Sequence, residues 1–301
     1  MSKQAKSNIV LLLAAMIWGC AFVAQSVAAD DVQPFTFNAS RYLLGGLFLI
    51  VLMPLLDKFR HKEKQETKLS KKLIIAGVAC GTVLAIASNL QQFGLQYTSA
   101  GKAGFITALY VVLVPIVQLF MGKKNSLNIW IAMGIAVIAL YLLSGLDGFS
   151  IGSGDFFVLL CAFCYTAHIL VIDHFVDDVD GVRMSCIQFF TAAFISAIGM
   201  LLTEQPNLES IKNAWLPIAY TGIMSSGVAY TFQIIGQKDA EPFVASVIMS
   251  LESVFAALFG FIVLRQALST KELIGCALMF VAVIISQLDL LKENKTNETS
   301  L

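Results

Sequence analysis

Apolar residues run along this chain in blocks of about twenty, far longer than any strand, and the polar and charged residues are gathered between the blocks. A helix rises about 1.5 Å per residue, so some twenty residues cross roughly 30 Å of hydrocarbon. On that measure the pattern predicts membrane-spanning helices at about 8–28, 35–56, 73–96, 101–121, 129–146, 154–174, 185–203, 214–235, 242–264 and 272–291. The expected fold is an all-α integral membrane protein of ten transmembrane helices with short connections. A signal-peptide reading competes for the first block, which follows Lys3 and Lys6 and ends in small residues. Its full-span length and the Trp18-Gly19 pair at its middle favour a span.

Composition agrees: the 301 residues are 57% hydrophobic and 13% charged, with a mean hydropathy of +0.79, whereas soluble domains are about one quarter charged. Net charge is zero, which points away from a nucleic-acid partner. Cys20, Cys80, Cys161, Cys164, Cys186 and Cys276 all fall inside spans. The Cys161/Cys164 spacing mimics a redox or metal pair, but with no second pair or polar loop it reads as helix packing. Neither a cofactor nor a metal is expected.

The positive-inside rule sets orientation. A cytoplasmic N-terminus places Lys58, Arg60, Lys62, Lys64, Lys68, Lys71, Lys72, Lys123 and Lys124 inside and leaves Asp30, Asp31 and Lys102 outside. The second half is less one-sided, since DHFVDDVDGVR is acidic and Arg265 and Lys271 fall outside; Lys292 and Lys295 keep the C-terminus inside. Both termini are therefore expected in the cytoplasm, with the chain in the cytoplasmic, or inner, membrane.

Sliding the chain by 141 residues lays spans 3 to 5 on spans 8 to 10 without a gap. Gln92 meets Gln233, Gln96 meets Gln237, Gly81 meets Gly222 and Phe120 meets Phe261. Each half holds an odd number of spans, so the second enters from the opposite side, the plan of inverted repeats. The expected units are a first five-helix repeat at 1–146, a second at 147–291, and a C-terminal tail at 292–301.

The residues also resemble a known family. Trp18-Gly19, Pro34 and Arg41 in QPFTFNASRYLLGG, TSAGKAGFITALYVVLVP ending at Pro115, and LESVFAALFGFIVLRQALS followed by IGCALMF are similar, in order and spacing, to the EamA branch of the drug/metabolite transporter superfamily. The resemblance implies two inverted five-helix repeats around a central cavity, moving small metabolites, often outward, by alternating access. Ser253 departs from it, standing where the family usually has a proline. So do Gly122-Lys123 and Arg265-Gln266, where a Gly-Glu usually closes spans 4 and 9.

Depth along each span picks out candidate site residues. Trp18, Tyr110, Tyr165 and Glu252 all lie about 14 to 17 Å deep at 1.5 Å per residue, near the midplane where such transporters bind solute. Arg41 starts about 9 Å below the outer face and reaches towards the same level; His168 lies slightly to the inner side. These six are the candidate substrate-binding set, suited to a small amphipathic or zwitterionic solute. Packing accounts equally for Trp18, interhelical hydrogen bonds for the two tyrosines, and outward snorkelling for Arg41; His168 reads more simply as a satisfied interior histidine. Glu252 is harder to explain away, because a mid-bilayer carboxylate costs about 2.5 kcal/mol or more. Two arrangements stay open for it: a proton carrier facing the cavity, or an ion pair with Arg41.

Asn89, Gln92 and Gln96 share one helical face, and Tyr230, Gln233 and Gln237 repeat that spacing. They either line the two cavity mouths as gates or satisfy carbonyls at helix ends. Gly45, Gly81, Gly134, Ala256, Gly260 and Gly275 are expected to let helices approach. With three histidines, two of them (His61 and His174) at the cytoplasmic edge, the chain offers no nucleophile with a base and no ligand cluster. An enzyme is not expected. The partners expected are a small-molecule substrate, the lipid bilayer and, if Glu252 titrates, protons; the sequence sets neither substrate identity nor oligomeric state. A non-transporting scaffold or sensor is the rival reading.

Overall fold

The computed structural model describes residues 3–59, 69–98, 100–123, 126–143, 152–265 and 267–288. Arg60, His61, Lys62, Lys64, Lys68, Lys124, Gln266, the 146/147 boundary and the tail with Lys292 and Lys295 lie outside the described residues. All regular structure among the described residues is helical. Hydrocarbon offers no partner to a peptide group, and a helix satisfies each one internally.

The long helices are α1 (Lys3–Ala29), α2 (Pro34–Phe59), α3 (Lys71–Leu95), α7 (Ser153–Phe175) and α8 (Gly181–Thr203). Two further stretches, α4 (Ala100–Thr107) with α5 (Tyr110–Phe120) and α12 (Pro242–Met249) with α13 (Glu252–Leu264), each form a span interrupted at its centre. These seven stretches are long and apolar enough to cross a membrane; α6 (Leu127–Leu143) is apolar but shorter. The block at 272–291 becomes α14 (Thr270–Ser286). Residues 214–235 depart from the single helix expected. After a short α9 (Leu208–Asn213), the chain forms α10 (Trp215–Tyr220), a π-helical stretch at Thr221–Tyr230, and α11 (Thr231–Gln237). Ser226 donates its hydroxyl to Thr221 O at 2.9 Å, five residues back, as the wider π turn allows.

Polar side chains mark several helix starts. Ser70 caps α3 by accepting from Leu73 N at 3.0 Å, Asp180 caps α8 from Arg183 N at 2.9 Å, and Ser269 and Glu272 cap α14 reciprocally. Burial runs opposite to that of a soluble protein: Val51, Phe120, Leu202 and Ile284 face outward, while Arg41, Gln92, His168 and Gln188 are buried.

The principal packed pairs are α3 with α7, α6 with α14, α2 with α8, α3 with α8, and α1 with α13. Every one joins a helix before residue 146 to a helix after it. Small residues set several of these crossings: a Cβ on Gly81 would lie 2.5 Å from Gln188 O, and one on Gly275 2.8 Å from Ala139 O. Gly134 differs from the expectation, since a Cβ there would meet nothing within 4 Å.

The two interrupted spans break alike. Ala108 N donates to Gly104 O, Leu109 N to Ile106 O and Val111 N to Ala108 O; Ser250 N donates to Ser246 O, Leu251 N to Ile248 O and Ser253 N to Ser250 O. Leu109 (φ −60°, ψ −10°) and Leu251 (φ −60°, ψ −12°) share one conformation. The offset between the breaks is 142, one residue from the slide found in the sequence. α4 packs on α13 and α5 on α12, so the spans cross at their breaks. Ser253 Oγ donates to Gly104 O at 3.3 Å across this crossing. A proline there would lose that bond.

Candidate functional site

A cavity opens beside the crossing, with about 460 Å³ of space unfilled by protein, its mouth included. On α1, Trp18, Phe22 and Gln25 project from one face at helical spacing. The opposite walls are Arg41 of α2, Gln91 of α3, Tyr165 and Ile169 of α7, Ser225 and Tyr230 of the π stretch, and Gln233 of α11. The breaks contribute Thr107, Tyr110, Met249 and Glu252. Tyr110 and Glu252 are the first residues of the two second segments, and the Tyr110 hydroxyl donates to Glu252 Oε1 at 3.0 Å.

Arg41 is 2% exposed. Its Nη1 donates to Gln25 Oε1 at 2.9 Å and its Nη2 to the Tyr42 hydroxyl at 2.8 Å. Its guanidinium lies over the Tyr42 and Phe37 rings at 4.6 and 5.5 Å. Among the described residues no carboxylate lies within ion-pair distance of it, so the expected alternative of a direct Arg41–Glu252 pair is not formed. Snorkelling is not formed either, because Gln25 and Tyr42 hold the head group in the interior.

The aromatic wall is continuous. Trp18 packs on Tyr230 with ring centroids 4.8 Å apart, and the Tyr165 and Tyr230 hydroxyls are 3.1 Å apart. Trp18 Nε1 is buried without a partner. His168 does not line the cavity. It stands behind Tyr230 at 5.8 Å, edge to face, as an interior histidine half satisfied: Nε2 lies 3.1 Å from Gln188 Oε1, and Nδ1 is buried with no partner.

The mouth residues divide. Asn89 is buried between helices, donating to Ala85 O and Ser196 Oγ and accepting from Asn38. Gln92 donates to Gln25 O at 3.2 Å, and Gln96 is an exposed C-cap of α3. None of these three lines the cavity; the neighbouring Gln91 does, donating to Thr107 Oγ1 at 3.1 Å. In the other set, Tyr230 and Gln233 line the cavity. Gln233 donates to Gln237 Oε1 at 2.9 Å, and Gln237 donates to Ile169 O at 3.0 Å. Gln237 also lines a second, polar hollow with Lys123, Asp173 and Asp239, so this bond lies between the two spaces. Sequence reasoning missed Phe22, Gln25, Gln91, Ile169, Thr107, Ser225 and Met249. For Gln25 and Gln91 the available signal was a glutamine in an apolar run.

A multi-pass membrane protein with a central, aromatic and polar cavity between its helices has the build of a solute carrier. The family model described as "EamA-like transporter family" matches residues 5–145 and again 152–288. The chain belongs to that family and is a membrane transporter. It is 31% identical over 290 residues to an "Uncharacterized transporter" of Archaeoglobus fulgidus, covering 95% of this chain and 87% of that one. It is 20% identical to "Uncharacterized transporter YoaV" of Bacillus subtilis, over 93% and 96% of the two chains. A "WAT1-related protein" of Arabidopsis thaliana, described as chloroplastic, is 26% identical over 92% of this chain and 68% of its own. A solved crystal structure shares the fold at a TM-score of 0.78 and 18% identity, over 94% of this chain and 97% of that one.

Proposed function

We propose that this protein is a secondary transporter that moves a small amphipathic, amino-acid-like metabolite across the cytoplasmic membrane by alternating access, working as an exporter. Ten spanning helices in two inverted five-helix repeats, 1–146 and 147–291, enclose the solute site. The observation that carries the reading is the cavity beside two interrupted spans, the place where inverted-repeat transporters bind solute. Matched breaks at 108–109 and 250–251 support the two-fold relation. The contacts support it too, because α3 with α7 is answered by α1 with α11, α4 with α7 by α1 with α12, and α5 with α7 by α1 with α13. So does a family model that matches once in each half. Rocking of one repeat against the other would open the site to each side in turn, with the Gln233–Gln237 bond as the gate towards the polar hollow.

Trp18, Tyr110 and Tyr165 serve as the walls of the solute site, and Glu252 as its proton carrier, since its bonded partner is a neutral phenol rather than a guanidinium. Trp18→Ala and Tyr110→Ala should each weaken solute binding about tenfold, the scale of a lost aromatic contact or charged hydrogen bond, while the protein stays folded and inserted. Unchanged affinity in both variants would return these residues to packing.

The orientation proposed is cytoplasmic termini. In a cysteine-free background, a cysteine at Asp31 should react with an impermeant thiol reagent in intact cells and one at Lys238 should not. The reverse pattern would invert the topology.

A further inference from the structure

The cavity contains a cation whose described partners are all neutral. Guanidinium stays protonated in any protein environment, and burying one without an opposite charge beside it is costly. Arg41 is offered the amide oxygen of Gln25, the hydroxyl oxygen of Tyr42 and the faces of two rings. These partners orient and partly solvate the charge, but none of them cancels it. Of the five N–H donors a guanidinium carries, the described bonds engage two, and Nε is buried with no partner. Glu252 lines the same cavity but is held by Tyr110 instead.

We infer that the transported solute carries a carboxylate that docks on Arg41. The inference rests on the transporter reading above and names the chemistry of its solute. A carboxylate is planar, brings two acceptor oxygens and one negative charge, and makes the shorter, stronger hydrogen bonds of a charged pair with guanidinium. It therefore neutralises the single positive charge and uses donors the protein leaves open. A phosphate monoester brings about −1.5 to −2 at neutral pH and would leave an excess negative charge in the cavity, so it fits less well. An amine or a neutral amide has no anionic group to offer. The rest of the solute lies against Trp18, Phe22, Tyr165 and Tyr230, which suits an aliphatic or aromatic body.

The test uses pairs of probes that differ only in that group: L-leucine against L-leucinamide, and 3-phenylpropionate against 3-phenylpropanamide, with phenyl phosphate as the phosphate arm. Binding is read from the shift in melting temperature of the purified full-length protein across a concentration series, since a ligand of the folded state raises apparent stability. A carboxylate should bind at least about tenfold more tightly than its amide, the scale of a hydrogen bond to a charged group. In Arg41→Gln that preference should fall below about threefold, with Arg41→Lys between the two because it keeps the charge and loses the fork. Amides binding as well as carboxylates in the wild type would overturn the inference, as would a preference that survives Arg41→Gln. Tighter binding of phenyl phosphate would overturn the carboxylate assignment. Where Arg41→Gln does not fold, the wild-type pairs and Arg41→Lys decide the question. Counterflow of the same probes in proteoliposomes separates the two claims. A carboxylate preference without counterflow retires the transport reading and keeps the anion site; counterflow confined to amides does the opposite.

Discussion

Glu252→Gln abolishes accumulation driven by a pH gradient and leaves solute exchange intact: this is the expected result in proteoliposomes. Glutamine preserves the length of the side chain, and its carbonyl oxygen still accepts from the Tyr110 hydroxyl, which donates to Glu252 at 3.0 Å. Only the capacity to take up and release a proton is lost. Glu252 is 5% exposed, stands at the first residue of α13 beside the break, and lines the cavity. A group so placed meets water from whichever side the cavity is open to, which is what a coupled carrier requires. Flux under a proton gradient should fall by at least about a hundredfold if each cycle needs the proton, equivalent to about 2.7 kcal/mol. Gradient-driven accumulation by the glutamine variant at the wild-type level would remove Glu252 from coupling and leave it a structural partner of Tyr110.

The second large effect is expected from one methyl group. Gly19 of α1 faces the start of α13, where an added Cβ would stand 2.7 Å from both Ala256 N and the Phe255 carbonyl carbon. Both are backbone atoms of a packed helix, so the helices must part for it to fit. Gly19→Ala should therefore cost about 1 to 3 kcal/mol, the usual penalty of overpacking, seen as a lower melting temperature. It should also weaken solute binding, because α1 carries Trp18 and α13 carries Glu252, and separating them widens the site. Gly134→Ala is the matched control: its Cβ meets nothing within 4 Å, and alanine is favoured over glycine in a helix by about 1 kcal/mol. Equal melting temperatures for Gly19→Ala and the wild type would show that the α1–α13 crossing is not close-packed in the membrane.

Much of this arrangement is legible in the chain because lipid makes sequence patterns simple. Apolar runs had to be helices, and polar side chains within them had to face inward. That is why Trp18, Arg41, Tyr110, Tyr165 and Glu252, chosen by depth alone, line one cavity. The central interruptions were not legible. No glycine or proline stands at 108–109 or 250–251; Pro115 lies inside α5, and its counterpart at the 142-residue offset is Ala257. The breaks accompany the crossing of the two spans, a tertiary event with no local signal. The π turn at Thr221–Tyr230 was hidden for the same reason, since its wider ladder fits against α2, where a Cβ on Gly222 would meet Arg41 O at 2.9 Å. Adjacent residues caused the remaining errors. Gln91 and Gln92 are about 100° apart around a helix, and periodicity counted from Asn89 selected Gln92, which points at the Gln25 carbonyl, over Gln91, which faces the cavity. His168 has the right depth, but Tyr230 stands in front of it.

Counterflow tests the central claim most directly. Purified protein is reconstituted into liposomes loaded with an excess of unlabelled L-leucine or 3-phenylpropionate, and uptake of the same compound in labelled form is followed from outside at trace concentration. A carrier whose solute site opens to each side in turn predicts a transient overshoot of label that requires the internal pool and is strongly reduced by Trp18→Ala. Label that enters no faster than into protein-free liposomes, for compounds that measurably stabilise the protein, would contradict the account and leave a membrane protein that binds solutes without moving them.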